Sequence, residues 1–371
     1  MKTFRVGGCV RDELLGLPVQ DHDHVVVGAD PAEMVKRGFR PVGADFPVFL
    51  HPETNEEYAL ARTERKTAPG YRGFVFHADA GVTLEEDLRR RDLTINAMAR
   101  GEDGRLVDPY GGERDLHAGI LRHVSDAFAE DPVRILRVAR FAARFGFAIA
   151  AETMALMRRM VEAGEADALV PERVWRELAR GLMEKTPSRV IAVLRECGAL
   201  ARILPEVDGA FDRPDEPEAL AQRLDCGAAR GYALAVRYAL LVLDLEPGAA
   251  ARLAERVNAP GDCRELAQLA IRERDAIETC DLDAESTLDM LERADAFRRP
   301  ERLERLLEAA RCDAHHAEKV AGPARQLRRA LEATRKIDAG AIARANPGDI
   351  PGALRRARLV AIAQLQPATG N

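Results

Sequence analysis

Residues 4–28 read FRVGGCVRDELLGLPVQDHDHVVVG. Phe4-Arg5-Val6 is a short apolar run that stops at Gly7-Gly8, and Cys9 to Leu15 then follow helical spacing. The stretch therefore predicts a strand, a tight glycine turn and a helix. Adjacent glycines let backbone approach a bulky ligand where a Cβ would collide, and a helix start offers unpaired N–H groups to an anion. Arg11, about one turn into the helix, carries a guanidinium suited to clamping phosphate. Gly16-Leu17-Pro18 turns the chain, and Asp23 to Gly28, with Val25-Val26-Val27, predicts a second strand. Asp21 and Asp23 are two residues apart, so in extended chain both carboxylates share one face while His22 and His24 point away. Carboxylates held that close repel unless a cation sits between them, and such oxygen ligands suit Mg²⁺ carrying a triphosphate. A lone D-x-D is commonly just a solvated turn; the glycine turn and arginine upstream make it a nucleotide and metal site.

The chain has 371 residues, 47% hydrophobic and 31% charged, values of a globular protein long enough for two or three domains. A net charge of −6 confines any nucleic-acid surface to a local patch. Six scattered cysteines without a C-x-x-C pair indicate neither a zinc site nor a disulfide framework. There is no signal-like N-terminus and no run of apolar residues long enough for a membrane span. The expected location is the cytoplasm.

Up to about residue 110 strand and helix signals alternate. Pro31–Arg37 reads as a helix, and Phe46–Leu50 and Glu57–Ala61 as strands, completing a small mixed sheet. Residues 62–82 read as a long loop. Thr83 to Glu86 forms a capping box that starts a helix. It leads to Arg89-Arg90-Arg91-Asp92-Leu93-Thr94-Ile95-Asn96, where Asp92 and Asn96 are polar groups in an apolar setting and need partners. Asp108 to Leu116 is rich in turn residues and closes the head. Asp131-Pro132 marks a helix start, after which Arg134, Arg137, Arg140 and Arg144 share one face. With no acidic residue at the usual i+4 positions, these arginines read as reserved for an anion.

Several of these stretches, in this order, resemble the class II tRNA nucleotidyltransferases, the CCA-adding enzymes of the poly(A) polymerase and DNA polymerase β superfamily. The matches are G-G-x-V-R-D at Gly7–Asp12, D-x-D at Asp21–Asp23, R-R-D-x-T-I-N-A at Arg90–Ala97, D-P-x-x-G-x-x-D-L at Asp108–Leu116 with one residue's variation in spacing, and E-D-x-x-R-x-x-R-x-x-R-F at Glu130–Phe141. The likeness is strongest up to about residue 205.

The resemblance implies an α+β protein. A small mixed-sheet nucleotidyltransferase head (1–122) precedes a helical neck (123–205), body (206–310) and tail (311–371). It implies that Asp21 and Asp23 hold two Mg²⁺ ions for attack of a tRNA 3′-hydroxyl on the α-phosphorus of CTP or ATP. Gly8, Arg11, Arg91, Arg137 and Arg140 would contact the nucleotide, mostly its triphosphate, with Asp92 and Asn96 near the ribose. Asp131 and Arg134 would read the base. Cytosine and adenine each present a donating amine beside an accepting ring nitrogen, which suits a carboxylate and a guanidinium; uracil and guanine present the reverse. A poly(A) polymerase, a partial CC- or A-adding enzyme and a non-catalytic tRNA-binding protein are the alternatives. The loop beginning at Arg62–Lys66 favours the complete reaction, the intact aspartates a catalyst. Glu57 is a weak candidate for a third metal ligand.

Some bacterial relatives carry a metal-dependent phosphohydrolase domain marked by adjacent His-Asp. The corresponding stretch here is Leu241–Leu245, with Leu243 before Asp244, so that activity is expected to be absent. Trp175, within the helical Arg173–Met183, reads as packing and His315-His316 as a surface feature. From Pro323 to Arg358, nine basic residues (Arg325, Arg328, Arg329, Arg335, Lys336, Arg344, Arg355, Arg356, Arg358) face three acidic ones (Glu332, Asp338, Asp349), an excess suited to an RNA backbone.

Overall fold

The computed structural model describes residues 1–19, 22–42, 48–66, 74–77, 80–213, 216–278, 283–313 and 319–365. They form two compact units: Met1–Glu177 with Arg189–Ile203, and Leu178–Ser188 with Leu204–Asn371.

In the first unit, β1 (Lys2–Val6), α1 (Gly8–Leu14) and β2 (Asp23–Val27) follow the order expected from residues 4–28. After α2 (Pro31–Lys36) come β3 (Arg40–Val42), β4 (Val48–Leu50) and β5 (Glu57–Leu60). Next are β6 (Thr63–Lys66), β7 (Phe74–His77), α3 (Leu84–Arg89), β8 (Ala99–Gly101) and β9 (Leu106–Val107). One seven-stranded sheet runs β3-β4-β5-β2-β1-β8-β9. It is mixed, because β2 pairs parallel with β5 and antiparallel with β1.

Both faces of this sheet are covered, and β2 shows how. Val25 packs with Val6, Leu88, Ala97 and Ala99, whereas Val26 packs on the other face with Met34, Phe49 and Leu60. Each buried valine contributes about 1.5–3 kcal/mol, and a slip of one residue would exchange the two faces. The same alternation fixes the polar residues. Asp23 takes the face of Val25, while His24 takes that of Val26 and stacks on Tyr58, ring centroids 4.2 Å apart.

The segment expected to be one long loop contains structure: β6 and β7 pair antiparallel, with Thr63 opposite His77. The charged, glycine-bearing sequence hid this hairpin because its pairing needs no strict alternation. The short strands β3, β8 and β9 were likewise not anticipated, each having too few residues to show a period. The capping box is present as read, the Thr83 hydroxyl accepting from Glu86 N at 3.2 Å and the Glu86 carboxylate from Thr83 N at 2.8 Å. Asp108 accepts from the amides of Gly112 and Glu113 and so starts α4 (Gly112–Ala118). Then follow α5 (Val133–Phe145), α6 (Ala151–Glu162) and α7 (Pro171–Leu182).

The second unit is helical. Its central helix, Leu234–Val242, is buried along its length and packs against the helices Glu216–Ala229 and Gly261–Glu278. Leu243 and Asp244 follow it, both buried or nearly so. Asp244 is paired with Arg223, which is fully buried, and with Arg274; Arg274 Nε also donates to Asp313 at 2.7 Å. Two guanidiniums thus neutralise two carboxylates in this interior. The void beside them, lined by Leu243, Ala270, Arg274 and Asp313, is about 10 Å³, room for roughly one water.

The absence of a C-x-x-C pair was misleading about disulfides. Cys226 and Cys312, 86 residues apart in sequence, are bonded; Cys9, Cys197 and Cys263 are free and buried. Packing of the Glu216–Ala229 helix near the end of Pro300–Arg311 creates this pair, and no local spacing could announce it. His315-His316 lies outside the described residues.

Candidate active site

Gly7 has φ +73°, a conformation that favours glycine. A Cβ there would stand 2.7 Å from Arg91 Nη1, so the group seated on the turn is the Arg91 guanidinium. Gly8 begins α1 and faces an open cleft of about 490 Å³, a volume in the range of small-molecule sites. Among the described residues, Arg11, Asp12, Asp23, Arg144 and Phe145 also line it.

Asp23 is exposed at the first position of β2 and is in register with Glu57, exposed at the first position of parallel β5. Asp21 lies outside the described residues. Among those that are described, no three His, Cys, Asp or Glu side chains form a metal-binding group.

Arg11 is 4% exposed. Its guanidinium lies 5.2 Å from the Phe141 ring centroid and 5.0 Å from that of Phe145, and Arg11 Nε donates to Asp12 at 2.8 Å. Burial pulls its pKa down while Asp12 opposes the shift. Arg11 Nη1 donates to Asn96 Oδ1, Asn96 Nδ2 to Asp92 Oδ1 at 3.0 Å, and Arg137 Nε to Asp92 Oδ2 at 2.7 Å. Asp92 and Asn96 are therefore the middle of a relay from α1 to α5. Burial works against the charged Asp92, but Arg137, the Asn96 amide and Arg134 outweigh it and hold the carboxyl well below its ordinary range.

The arginine stripe on α5 does have acidic partners, contrary to the sequence expectation. Arg137 pairs with Asp92, Arg140 with Glu177 of α7 at 2.7 Å, and Arg144 with Asp12 of α1 at 3.1 Å. They come from other elements, where the i+4 rule cannot look. Arg140 and Glu177 are both nearly buried, their side chains 8% and 6% exposed. Arg134 donates to the carbonyls of Ala127 and Arg90 at 2.7 and 2.6 Å. Asp131 accepts from Val133 N at 3.1 Å, as a helix start requires, and is clasped by Arg173 Nη1 and Nη2 at 3.0 and 2.8 Å.

The structure thus gathers Gly8, Arg11 and Asp23 at the cleft. Arg91 sits on the glycine turn, and Asp92, Arg137, Asp131, Arg134 and Arg140 are joined through α5. Sequence reasoning missed Asp12, Asp87, Arg173 and Glu177. The last two stand four apart on α7, a spacing that places them on one helix face.

In the second unit, the basic excess of residues 323–358 is partly neutralised. Arg328 pairs with Glu304, Arg355 with Asp289 and Glu292, Arg356 with Asp349, Arg358 with Glu292 and Lys336 with Glu332. Arg325, Arg329, Arg335 and Arg344 are exposed and make no ion pair among the described residues.

An exposed carboxylate at a strand start, beside a glycine turn and an arginine-lined cleft, is an arrangement able to receive a nucleoside triphosphate with its metal. The sequence profile described as Poly A polymerase head domain matches residues 3–122, and that described as probable RNA and SrmB-binding site of polymerase A matches 146–211. The chain is 54% identical over 403 residues to the Multifunctional CCA protein of Azoarcus sp. strain BH72, covering 99% of this chain and 98% of that one. It is 56% identical over 398 residues to the protein of that name from Aromatoleum aromaticum, covering 98% of each. The Bacillus stearothermophilus CCA-adding enzyme in complex with CTP shares the fold, with TM-score 0.72 and 23% identity over 98% of this chain and 88% of that one. The chain belongs to the CCA-adding tRNA nucleotidyltransferase family.

Proposed function

We propose that this enzyme adds and repairs the 3′-terminal CCA of tRNA from CTP and ATP, releasing pyrophosphate, and that it does so in the cytoplasm with Mg²⁺. The observation that carries this reading is the convergence of Asp23, Gly8 and Arg11 on one cleft, joined by the Asn96–Asp92–Arg137 relay to the helix bearing Arg134.

The residues present fit a magnesium–triphosphate group. Asp23, with Glu57 beside it in register, offers hard oxygen ligands, and Arg91 Nε is a buried donor without a partner among the described residues. Asp21 and Asp23 would hold the ions, with Glu57 as a third ligand. When bound, Mg²⁺ activates the attacking hydroxyl and steadies the phosphates. Arg11, braced against two phenylalanines, and Arg91, seated on Gly7, direct guanidiniums toward the triphosphate. Arg137 and Arg140 hold α5 in place through Asp92 and Glu177, and Asp92 with Asn96 faces the ribose. Asp131 accepts from the exocyclic amine of cytosine or adenine, while Arg134 donates to the ring nitrogen. A carboxylate has more lone pairs than Arg173 and Val133 N occupy, so Asp131 retains accepting capacity. Residues 1–122 act as catalytic head, 123–205 as base-reading neck, 206–310 as body and 311–371 as tail. Exposed Arg325, Arg329, Arg335 and Arg344 meet the tRNA backbone.

The test is incubation of a tRNA lacking its 3′ end with each nucleoside triphosphate singly and then together, products being resolved at single-nucleotide resolution. Termination after C, C and A is expected. Continued addition of A would support a poly(A) polymerase instead, and unchanged Mg²⁺-dependent turnover in Asp21→Asn would overturn the assigned metal site.

A further inference from the structure

Asp87 is fully buried in α3, in a helix start where acidic residues ordinarily face solvent. Its Oδ2 accepts from Arg91 Nη2 at 3.2 Å. Its Oδ1 accepts from Arg90 Nη2 at 2.8 Å and from Arg62 N at 3.4 Å. Arg90 in turn donates to Arg62 O at 3.1 Å, and Arg90 O receives Arg134 Nη2. One interior carboxylate therefore gathers the root of the β6–β7 hairpin, the arginine over Gly7, and the segment against which the base-reading arginine leans. With a single partner, burial would tend to protonate such a carboxyl. Here burial does raise the Asp87 carboxyl, but Arg91 and Arg90 together hold it below its ordinary value.

We infer that Asp87 is a positioning residue: it fixes the Arg91 guanidinium over the glycine turn in the orientation that receives the triphosphate, and it ties that orientation to the hairpin root at Arg62. A guanidinium is planar and directional, so its plane matters as much as its charge. Arg91 reaches Gly7 from a different element, and among the described residues its acceptor besides Asp87 is Asn96 O at 3.5 Å, too long to set that plane alone. This inference rests on the proposed contact between Arg91 and the nucleotide.

The experiment measures KM and kcat for CTP, with thermal stability, in Asp87→Asn, Arg91→Ala and the double variant. Arg91→Ala alone tests the underlying contact: an unchanged KM would refute that contact. Given a raised KM there, Asp87→Asn should raise KM by roughly tenfold, as expected for a displaced charge-assisted contact, with little change in kcat. In the Arg91→Ala background the same change should add nothing, because the two act as one unit. A folded Asp87→Asn with wild-type KM, or effects that multiply in the double variant, would overturn the inference. Should Asp87→Asn fail to fold, Arg91→Lys decides: it keeps the charge but loses the fork, so KM should approach that of Arg91→Ala. Wild-type KM in Arg91→Lys would show that orientation is irrelevant.

Discussion

Arg173→Met removes the two hydrogen bonds that clasp Asp131 and leaves its carboxylate held by Val133 N alone. The pair is neither buried nor free, with side chains 24% and 21% exposed. Its worth lies between the 0–1 kcal/mol of a surface pair and the roughly 3–5 kcal/mol lost on breaking a buried one, so about 1–3 kcal/mol. If that energy holds the carboxylate in the orientation that accepts from an amine, its loss should shrink the preference for CTP over UTP by about 5- to 150-fold. The triphosphate contacts are untouched, so inhibition by pyrophosphate should stay as it is. The assay is single-nucleotide addition to a tRNA lacking its CCA, with kcat/KM for each of the four triphosphates. Arg173→Met that is folded, active and as selective as wild type would refute the reasoning, since Asp131 would then be oriented by something other than α7.

Three further outcomes follow from the interior of each unit. Gly112→Ala places a Cβ 2.2 Å from Thr94 O and 2.8 Å from Met98 Cγ, so thermal unfolding should show a loss of about 1–3 kcal/mol or more. The Asp87 and Asp92 carboxyls lie below their ordinary values in the folded chain. The stability they contribute is therefore complete above about pH 5, and is lost as pH falls below about 4 toward the folded values; Asp92→Asn should flatten that acid limb in melts recorded across pH. Finally, with Arg223 and Arg274 on Asp244, the second unit should hydrolyse neither p-nitrophenyl phosphate nor its bis ester with Mn²⁺, Ni²⁺ or Co²⁺, and Arg274→Ala should destabilise it by about 3–5 kcal/mol in denaturant melts.

The head was legible because its signals are local. Gly7-Gly8, the valine run of β2 and the Thr83–Glu86 capping box each specify their own few residues. The partners of the α5 arginines were not, since Asp12, Asp92 and Glu177 come from three separate segments and only the fold brings them close. Asp87 illustrates the same limit more sharply. In sequence it is one more acid in the first turn of a helix, indistinguishable from Glu85 and Glu86; burial alone sets it apart. The disulfide between Cys226 and Cys312 and the hairpin at Thr63–Lys66 and Phe74–His77 were hidden for related reasons, long separation in one case and weak patterning in the other.

The cluster of Arg223, Asp244, Arg274 and Asp313 gives the second unit an independence of its own. Its counter-ions are part of the polypeptide, so they arrive with translation and stay under chelation. A cell starved of transition metals would still supply every side chain that balances the charge of this interior.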